Sequence, residues 1–175
     1  MRLILVRHGE TAYNVKGIMQ GTADIPLNAN GRKQAFEAKD KLKDTKIDVC
    51  FSSSLARALE TAHIITNKEV ITDNRLMERK LGSLEGKSHD LYDSKLYYDY
   101  KVNSNKYDVE PVRDLFERVQ SFYDEIKTKY KDKTVLIISH QATIRVFNFV
   151  INGYNENTNF LSFKVPNCAV LKYDI

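Results

Sequence analysis

Apolar positions along this chain fall into two kinds of pattern. Arg2-Leu-Ile-Leu-Val6 and Thr134-Val-Leu-Ile-Ile138 are short, branched and unbroken, which predicts strands buried on both faces of a sheet. Asp48-Val-Cys-Phe-Ser52 reads as a third strand and Glu69-Val-Ile-Thr72 as a weaker fourth, all four central in the sheet. Between them the spacing changes to three and four. Asn28 is placed to cap a helix whose inner face is Ala35, Ala38 and Leu42, and Ser54 to cap another with Leu55, Ala58, Leu59, Ala62 and Ile65 on one side. The clearest helix opens at Pro111 and carries Val112, Leu115, Phe116, Val119, Phe122, Ile126 and Tyr130 as one stripe. Thr143 to Ile151 predicts a further helix ended by Gly153. Leu161, Phe163 and Val165 alternate as a strand, with Val170 and Leu171 in a last one. Strands alternating with helices predict an α/β fold, a three-layer sandwich with a mainly parallel central sheet flanked by helices.

Composition narrows this only slightly. The 175 residues suit a single domain over 1–175, and 42% hydrophobic with 29% charged residues excludes a disordered or fibrous chain. A net charge of +4 favours anionic ligands but falls short of a nucleic-acid footprint, so no nucleic-acid partner is expected. Cys50 and Cys168 lie in apolar stretches with neither a CxxC spacing nor a framework count, which predicts buried free thiols in a reducing compartment. Leu3 to Val6 is too short for a signal-peptide core, and no apolar run approaches the roughly 18 residues of a membrane span. A cytoplasmic protein with no membrane partner is the expectation.

Chemistry enters where the strands end. In a parallel sheet, ligands sit outside the carboxyl ends of the strands. Arg7-His8-Gly9 follows the first strand directly and Ser139-His140 follows the strand that ends at Ile138. The strand ending at Ser52 leads to Arg57, inside the next helix. Two histidines and two arginines therefore converge on one sheet edge, in one pocket.

The residues around them form five ordered blocks. These are Leu5-Val6-Arg7-His8-Gly9-Glu10-Thr11 with Asn14; Gln20-Gly21 with Asp24-Ile-Pro-Leu27 and Gly31; Ser54-Leu-Ala-Arg-Ala58 with Thr61-Ala62; Leu76-Met-Glu78 with Gly82 and Glu85-Gly86; and Ser139-His140 with Ile144-Arg145. Together they resemble the histidine phosphatase superfamily, the phosphoglycerate mutase-like family, over residues 3 to 145. The resemblance implies that fold and phosphoryl transfer through a phosphohistidine. His8 is then the nucleophile, its other ring nitrogen donating to a fixed acceptor. Arg7, Arg57 and a protonated His140 stabilise phosphoryl charge, with Asn14 and the amide beside His140 as neutral donors and Gln20, Gly21 and Gln141 in the substrate site. Glu78 is general acid and then general base, with Asp73, Glu85 and Asp90 as nearby competitors. Because the cationic cage takes the place of Mg²⁺, the resemblance implies no metal and no cofactor. His63 reads as structural, and His89 as lining the entrance at most.

One departure stands out. Gln141-Ala142 occupies the place where many relatives have Gly-Gly, a run that resembles the bisphosphatase branch and adds a side chain beside the phosphate. Residues 87–110 read as a short cap rich in tyrosine, with Tyr92, Tyr97, Tyr98, Tyr100 and Tyr107 among Lys87, Lys95, Lys101 and Lys106. They serve either as aromatic faces for an organic phosphate or as a helix packed on the domain. The chain has little material for the larger insertion and tail of glycolytic mutases, so the expected function is a metal-independent phosphatase of small organic phosphate monoesters, α-ribazole phosphate being one specific candidate. A mutase-type phosphotransferase, a protein-phosphohistidine phosphatase and a non-enzymatic phosphate-binding regulator stay open at this point.

Overall fold

The protein is described by a computed structural model covering residues 1–91, 93, 98–102 and 105–175. Its strands are β1 (Arg2–Arg7), β2 (Val49–Ser52), β3 (Val70–Thr72), β4 (Thr134–Ser139) and β5 (Val170–Asp174), and its helices are α1 (Ala12–Val15), α2 (Ala29–Leu42), α3 (Ala56–Ile65), α4 (Val112–Lys129) and α5 (Gln141–Asn152). Among the described residues the strands form one sheet in the order β3-β2-β4-β1-β5. The pairs of β1 with β4, β4 with β2 and β2 with β3 are parallel, and only β5 runs antiparallel, along β1.

The unbroken apolar runs are explained by burial on both faces. Leu3 and Leu5 of β1, with Val135 and Ile137 of β4, pack against Leu115, Phe116, Val119, Phe122 and Ile126 of α4 and against α5. Ile4 and Val6, with Leu136 and Ile138, pack on the other side against Ala35, Ala38, Ala58 and Ala62 of α2 and α3. The alanines let those two helices lie close to the sheet, while the aromatic stripe of α4 fills a deeper layer. Cys50 and Cys168 sit within the alanine-lined layer as free thiols, and burial pushes both up to about 12, where neither is a ready nucleophile. Among the described residues no helix is long and apolar enough to cross a membrane.

Four expectations need correction. β3 is an edge strand, and Ile71 and Thr72 are exposed, as its weak apolar pattern suggests. Ser54 does not cap α3. Leu55 holds the cap position without a side-chain bond, Ser54 Oγ donates to Asn74 Oδ1, and the first-turn amide of Ala56 donates to Asp24 Oδ1 from a distant loop. The segment from Leu161 to Val165 is not a strand, because the carbonyls of Phe163 and Val165 accept hydrogen bonds from the guanidinium groups of Arg145 and Arg7. Finally, α5 begins at Gln141, directly after His140, two residues earlier than its apolar stripe suggests. Asn28 does cap α2, accepting from the Gly31 N–H at 2.7 Å.

Two glycines let α2 approach the end of β1. A Cβ on Gly9 would overlap the Gly31 carbonyl oxygen, and a Cβ on Gly31 would overlap the Glu10 carbonyl oxygen. Both obstructing atoms are main chain, so neither can swing aside. Gly31→Ala should therefore lower the unfolding free energy by about 1–3 kcal/mol, the range for overpacked sites. Urea titration would register this as an earlier midpoint at unchanged slope, and an unshifted midpoint would refute the close approach.

Candidate active site

The parallel register places the end of β1 beside the end of β4, with Arg7 opposite Ser139. One residue further on, the His8 N–H donates to the Ser139 carbonyl at 2.9 Å, and the Ser53 N–H donates to the Ile138 carbonyl at 3.1 Å. The ladder thus runs past the regular strands and sets the rings of His8 and His140 with their centroids 5.0 Å apart. His8 lines a cavity of about 250 Å³ together with Arg7, Arg57, Glu78, Asn14 and Gln141, whereas His140, buried against the His8 ring, does not line it.

His8 is 2% exposed, and its Nδ1 lies 2.7 Å from the Gly9 carbonyl. A carbonyl only accepts, so Nδ1 carries the proton and Nε2 presents a lone pair. His140 is fully buried. Its Nε2 meets Ser53 Oγ at 2.8 Å, while its Nδ1 has no partner among the described residues. Burial holds both rings well below the ordinary histidine pKa. For His8 the next causes are Arg7 and Arg57, and for His140 they are Arg57 followed by His8 and Arg7. Burial, and after it the neighbouring Arg57, favours the neutral form of His140, opposite in direction to the protonated ring that the resemblance implies.

The arginines are fixed by main-chain carbonyls. Arg7 Nη1 donates to Val165 at 2.7 Å, and Arg57, wholly buried in the first turn of α3, donates from Nη1 to Ala23 and from Nη2 to Gly21, both at 2.8 Å. Nε of each has no partner among the described residues. Desolvation lowers the Arg7 pKa to about 10, and that of Arg57 also falls. Gly21 adopts a φ of +52°, where a Cβ would strike the Glu85 carboxylate, so a glycine lets this turn offer its carbonyl to Arg57.

Polar side chains complete the wall. Asn14 Oδ1 accepts from the Thr11 N–H at 3.1 Å and from Asn167 Nδ2, which identifies its amino group as the free donor end. Gln20 Oε1 accepts from Thr11 Oγ1 at 2.8 Å. The Glu78 carboxylate accepts from the Arg79 N–H at 2.9 Å and from the Ala142 N–H, in the first turn of α5, at 3.1 Å. Its loop is pinned by Ser139 Oγ to the Leu76 carbonyl at 2.7 Å and by Thr143 Oγ1 to the Met77 carbonyl at 2.6 Å.

The competing carboxylates are engaged elsewhere. Glu85 Oε1 accepts from the Thr22 and Leu81 amides, Asp73 pairs with Arg75, and Asp90 accepts from Ser88. Among the described residues Glu78 alone of the carboxylates lines the cavity. His89 lines it too, whereas His63 is exposed on α3. Of the cap tyrosines, Tyr98 lines the cavity, Tyr100 packs edge-on against Phe116 at 5.7 Å, and Tyr107 is exposed. Tyr92, Tyr97 and Lys95 lie outside the described residues.

Sequence reasoning assigned no role to Ser53, Arg79 or Arg145. Ser53 follows a parallel strand and was within reach of the same edge rule, and Arg145 lies one helical turn from Gln141 on α5. Nothing in the periodicity marks Arg79.

Residues 3–175 match the family described as the histidine phosphatase superfamily, branch 1. The chain is similar to phosphoglycerate mutase-like protein 4 of Arabidopsis thaliana, 36% identical over 155 residues, covering 82% of this chain and 67% of that protein. Among solved structures it resembles a histidine-to-alanine mutant of phosphoserine phosphatase from Entamoeba histolytica in complex with phosphoserine. The TM-score is 0.86 with 27% identity, covering 98% of this chain and 89% of the other. It also resembles the α-ribazole phosphatase from Shigella flexneri, with a TM-score of 0.85 and 28% identity over 100% and 91% of the two chains.

The neutral rings give stability a sign with pH. The unfolded chain takes up protons on His8 and His140 near pH 6.5, whereas the folded chain resists them. Their contribution is complete above that pH and is lost as pH falls toward their folded values. Unfolding free energy should drop between pH 7 and pH 5 by up to about 1.4 kcal/mol per pH unit for each proton. Denaturant titrations should show a shallower drop for His8→Asn; an identical drop in the variant would mean that His8 is already charged in the folded protein.

Proposed function

The chain belongs to the histidine phosphatase superfamily, and from that premise we propose that it hydrolyses small organic phosphate monoesters without a metal, through a phosphohistidine on His8. The observation that carries this reading is the His8 tautomer: Nδ1–H is engaged by the Gly9 carbonyl at 2.7 Å, which turns the Nε2 lone pair into the nucleophile.

In the first half-reaction Nε2 attacks phosphorus, the bond from phosphorus to the ester oxygen breaks, and that oxygen takes a proton from the Glu78 carboxyl group. In the second, the Glu78 carboxylate takes a proton from water as the water oxygen attacks phosphorus. The bond from phosphorus to nitrogen then breaks, which frees phosphate and restores His8. Negative charge on the equatorial oxygens is met by the guanidinium groups of Arg7 and Arg57 and by neutral donors from Asn14, Gln20 and Gln141. His140, held toward the neutral form by burial and by the neighbouring guanidinium groups, gains a proton as the phosphate dianion enters, since a nearby anion favours the charged imidazole. Ser53 keeps the ring oriented meanwhile.

Anchored guanidinium groups provide the charge stabilisation that a divalent ion provides in other phosphoryl-transfer sites, and they repel such an ion. Turnover of an aryl phosphate should therefore persist in EDTA, and a strict metal requirement would sink this mechanism. His8→Ala should abolish the acid-labile phosphoenzyme trapped after rapid quench, whereas persistent labelling would move the nucleophile elsewhere. Glu78→Gln should slow alkyl phosphates by about 10² to 10⁴ and aryl phosphates far less, because a good leaving group has little need of a proton. Equal slowing of both would remove Glu78 as the acid. Inorganic phosphate as the product, without phosphoryl return to the alcohol, distinguishes hydrolysis from mutase action.

A further inference from the structure

Four consecutive carbonyls lead up to and include Glu78, and each accepts a hydrogen bond from a side chain. Arg118 Nη1, on α4, donates to Arg75 at 2.6 Å, and Ser139 Oγ, closing β4, donates to Leu76 at 2.7 Å. Thr143 Oγ1, on α5, donates to Met77 at 2.6 Å, and Arg118 Nη2 donates to Glu78 at 3.4 Å. Main-chain groups of a partly buried loop need such partners. The pattern matters because Ser139 and Thr143 hold adjacent carbonyls in the middle, about which the loop could pivot. Arg118 takes the carbonyls on either side.

Arg118 is itself fixed by Glu110. Nε donates to Oε1 at 2.6 Å and Nη2 to Oε2 at 3.0 Å, a bidentate pair whose side chains are 20% and 15% exposed. Glu110 lies against the same loop. Its N–H donates to the Lys80 carbonyl at 3.0 Å, its carbonyl accepts from Arg79 Nε at 2.8 Å, and its Oε2 accepts from the Lys80 N–H at 3.3 Å. The pair thus grips the chain before and after Glu78. Arg118 does not line the cavity beside His8, so whatever it does there is done through the loop or through its charge, which adds to those disfavouring a proton on His140. His8, by contrast, is placed by the β1–β4 ladder, on which Arg118 has no hold.

We infer that Arg118, oriented by Glu110, is a positioning residue for Glu78, a role that rests on reading Glu78 as general acid and base. It sets where the carboxyl group meets the leaving oxygen in the first half-reaction and the attacking water in the second, and leaves the nucleophile where it is.

A misplacement of about 1 Å costs on the order of 10²-fold, and only in steps that use the misplaced group. Arg118→Gln should therefore lower kcat/KM for an alkyl phosphate by about tenfold to a hundredfold. For an aryl phosphate, kcat/KM should stay near wild type while kcat and KM fall together, because hydrolysis of the phosphohistidine still needs the base. Decay of the trapped phosphoenzyme after a chase with unlabelled substrate should slow accordingly. A loosened fold would instead slow both esters alike. Glu110→Gln should shift the same quantities in the same directions by a smaller factor. Arg118→Lys keeps the charge but lacks the fork that spans a carboxylate and two carbonyls, so it should resemble Arg118→Gln. A wild-type profile for Arg118→Lys would assign the effect to charge at His140 and overturn the positioning role. In a Glu78→Gln background Arg118→Gln should add no further loss, and an additive loss would also overturn it. Equal slowing of both esters, or failure of both Arg118→Gln and Glu110→Gln to fold, would make the pair structural and leave the phosphatase reading intact. Absence of hydrolysis and of phosphoenzyme in the folded wild type would take down that reading and the positioning role together.

Discussion

A single main-chain hydrogen bond, from the His8 N–H to the Ser139 carbonyl at 2.9 Å, carries the β1–β4 ladder one step beyond the sheet and joins two distant parts of the chain at its reactive end. Because the two strands are parallel and in register, the residue after each emerges on the same edge, and the rings of His8 and His140 meet at 5.0 Å. Everything else at this sheet edge hangs on that alignment. Arg7 closes β1, Ser53 prolongs β2 to reach His140, and the Gly9–Gly31 contact presses α2 against the turn that fixes the His8 tautomer. A one-residue slip of β1 would send alternate side chains to the opposite layers and remove His8 from the edge together with Leu3 and Leu5 from their core. Core and site are thus specified by the same register.

That alignment has an electrostatic consequence. Four guanidinium groups and the His8 imidazole line one cavity, a concentration of positive charge set against the Glu78 carboxylate. Buried like charge of this kind opposes folding. The structure moderates the opposition by giving Arg7, Arg57, Arg79 and Arg145 main-chain carbonyls as hydrogen-bond acceptors. Carbonyl dipoles satisfy N–H groups without cancelling their charge, whereas carboxylates would neutralise the cage and compete with the ligand. Glu78, the carboxylate that does line the cavity, is instead anchored by N–H donors from Arg79 and Ala142.

Much of the architecture was legible in the chain because burial on both faces leaves an unambiguous trace: the runs at Leu3–Val6 and Val135–Ile138 admit no other assignment once helices are seen between them. The positions of His8, Arg57 and His140 followed from the rule for parallel sheet edges, and Glu78 from the resemblance of its loop. Legibility failed where function competes with regular structure. Leu161, Phe163 and Val165 alternate like a strand, yet carbonyls of that segment bond to arginine side chains. Ser54 has the chemistry of a cap, but Asp24 takes the α3 amide from 32 residues away. Arg79 and Arg145 escaped because neighbouring arginines in sequence or on a helix face say nothing of which cavity they border.

The two ends of the cavity differ in what determines them. Its end beside His8 is drawn from strand termini and main-chain contacts, elements that the sheet register itself fixes. Its other end draws on Arg79 in the loop after β3, on His89 and Tyr98, and on the second turn of α5, where side chains can change without disturbing the sheet. Backbone similarity therefore reports on the first end and scarcely on the second. The solved relatives illustrate this: the phosphoserine and α-ribazole phosphatases overlay almost equally well, though their names point to chemically different alcohols. Substrate choice is therefore a matter of the side chains at that second end, where one fold accommodates different chemistry.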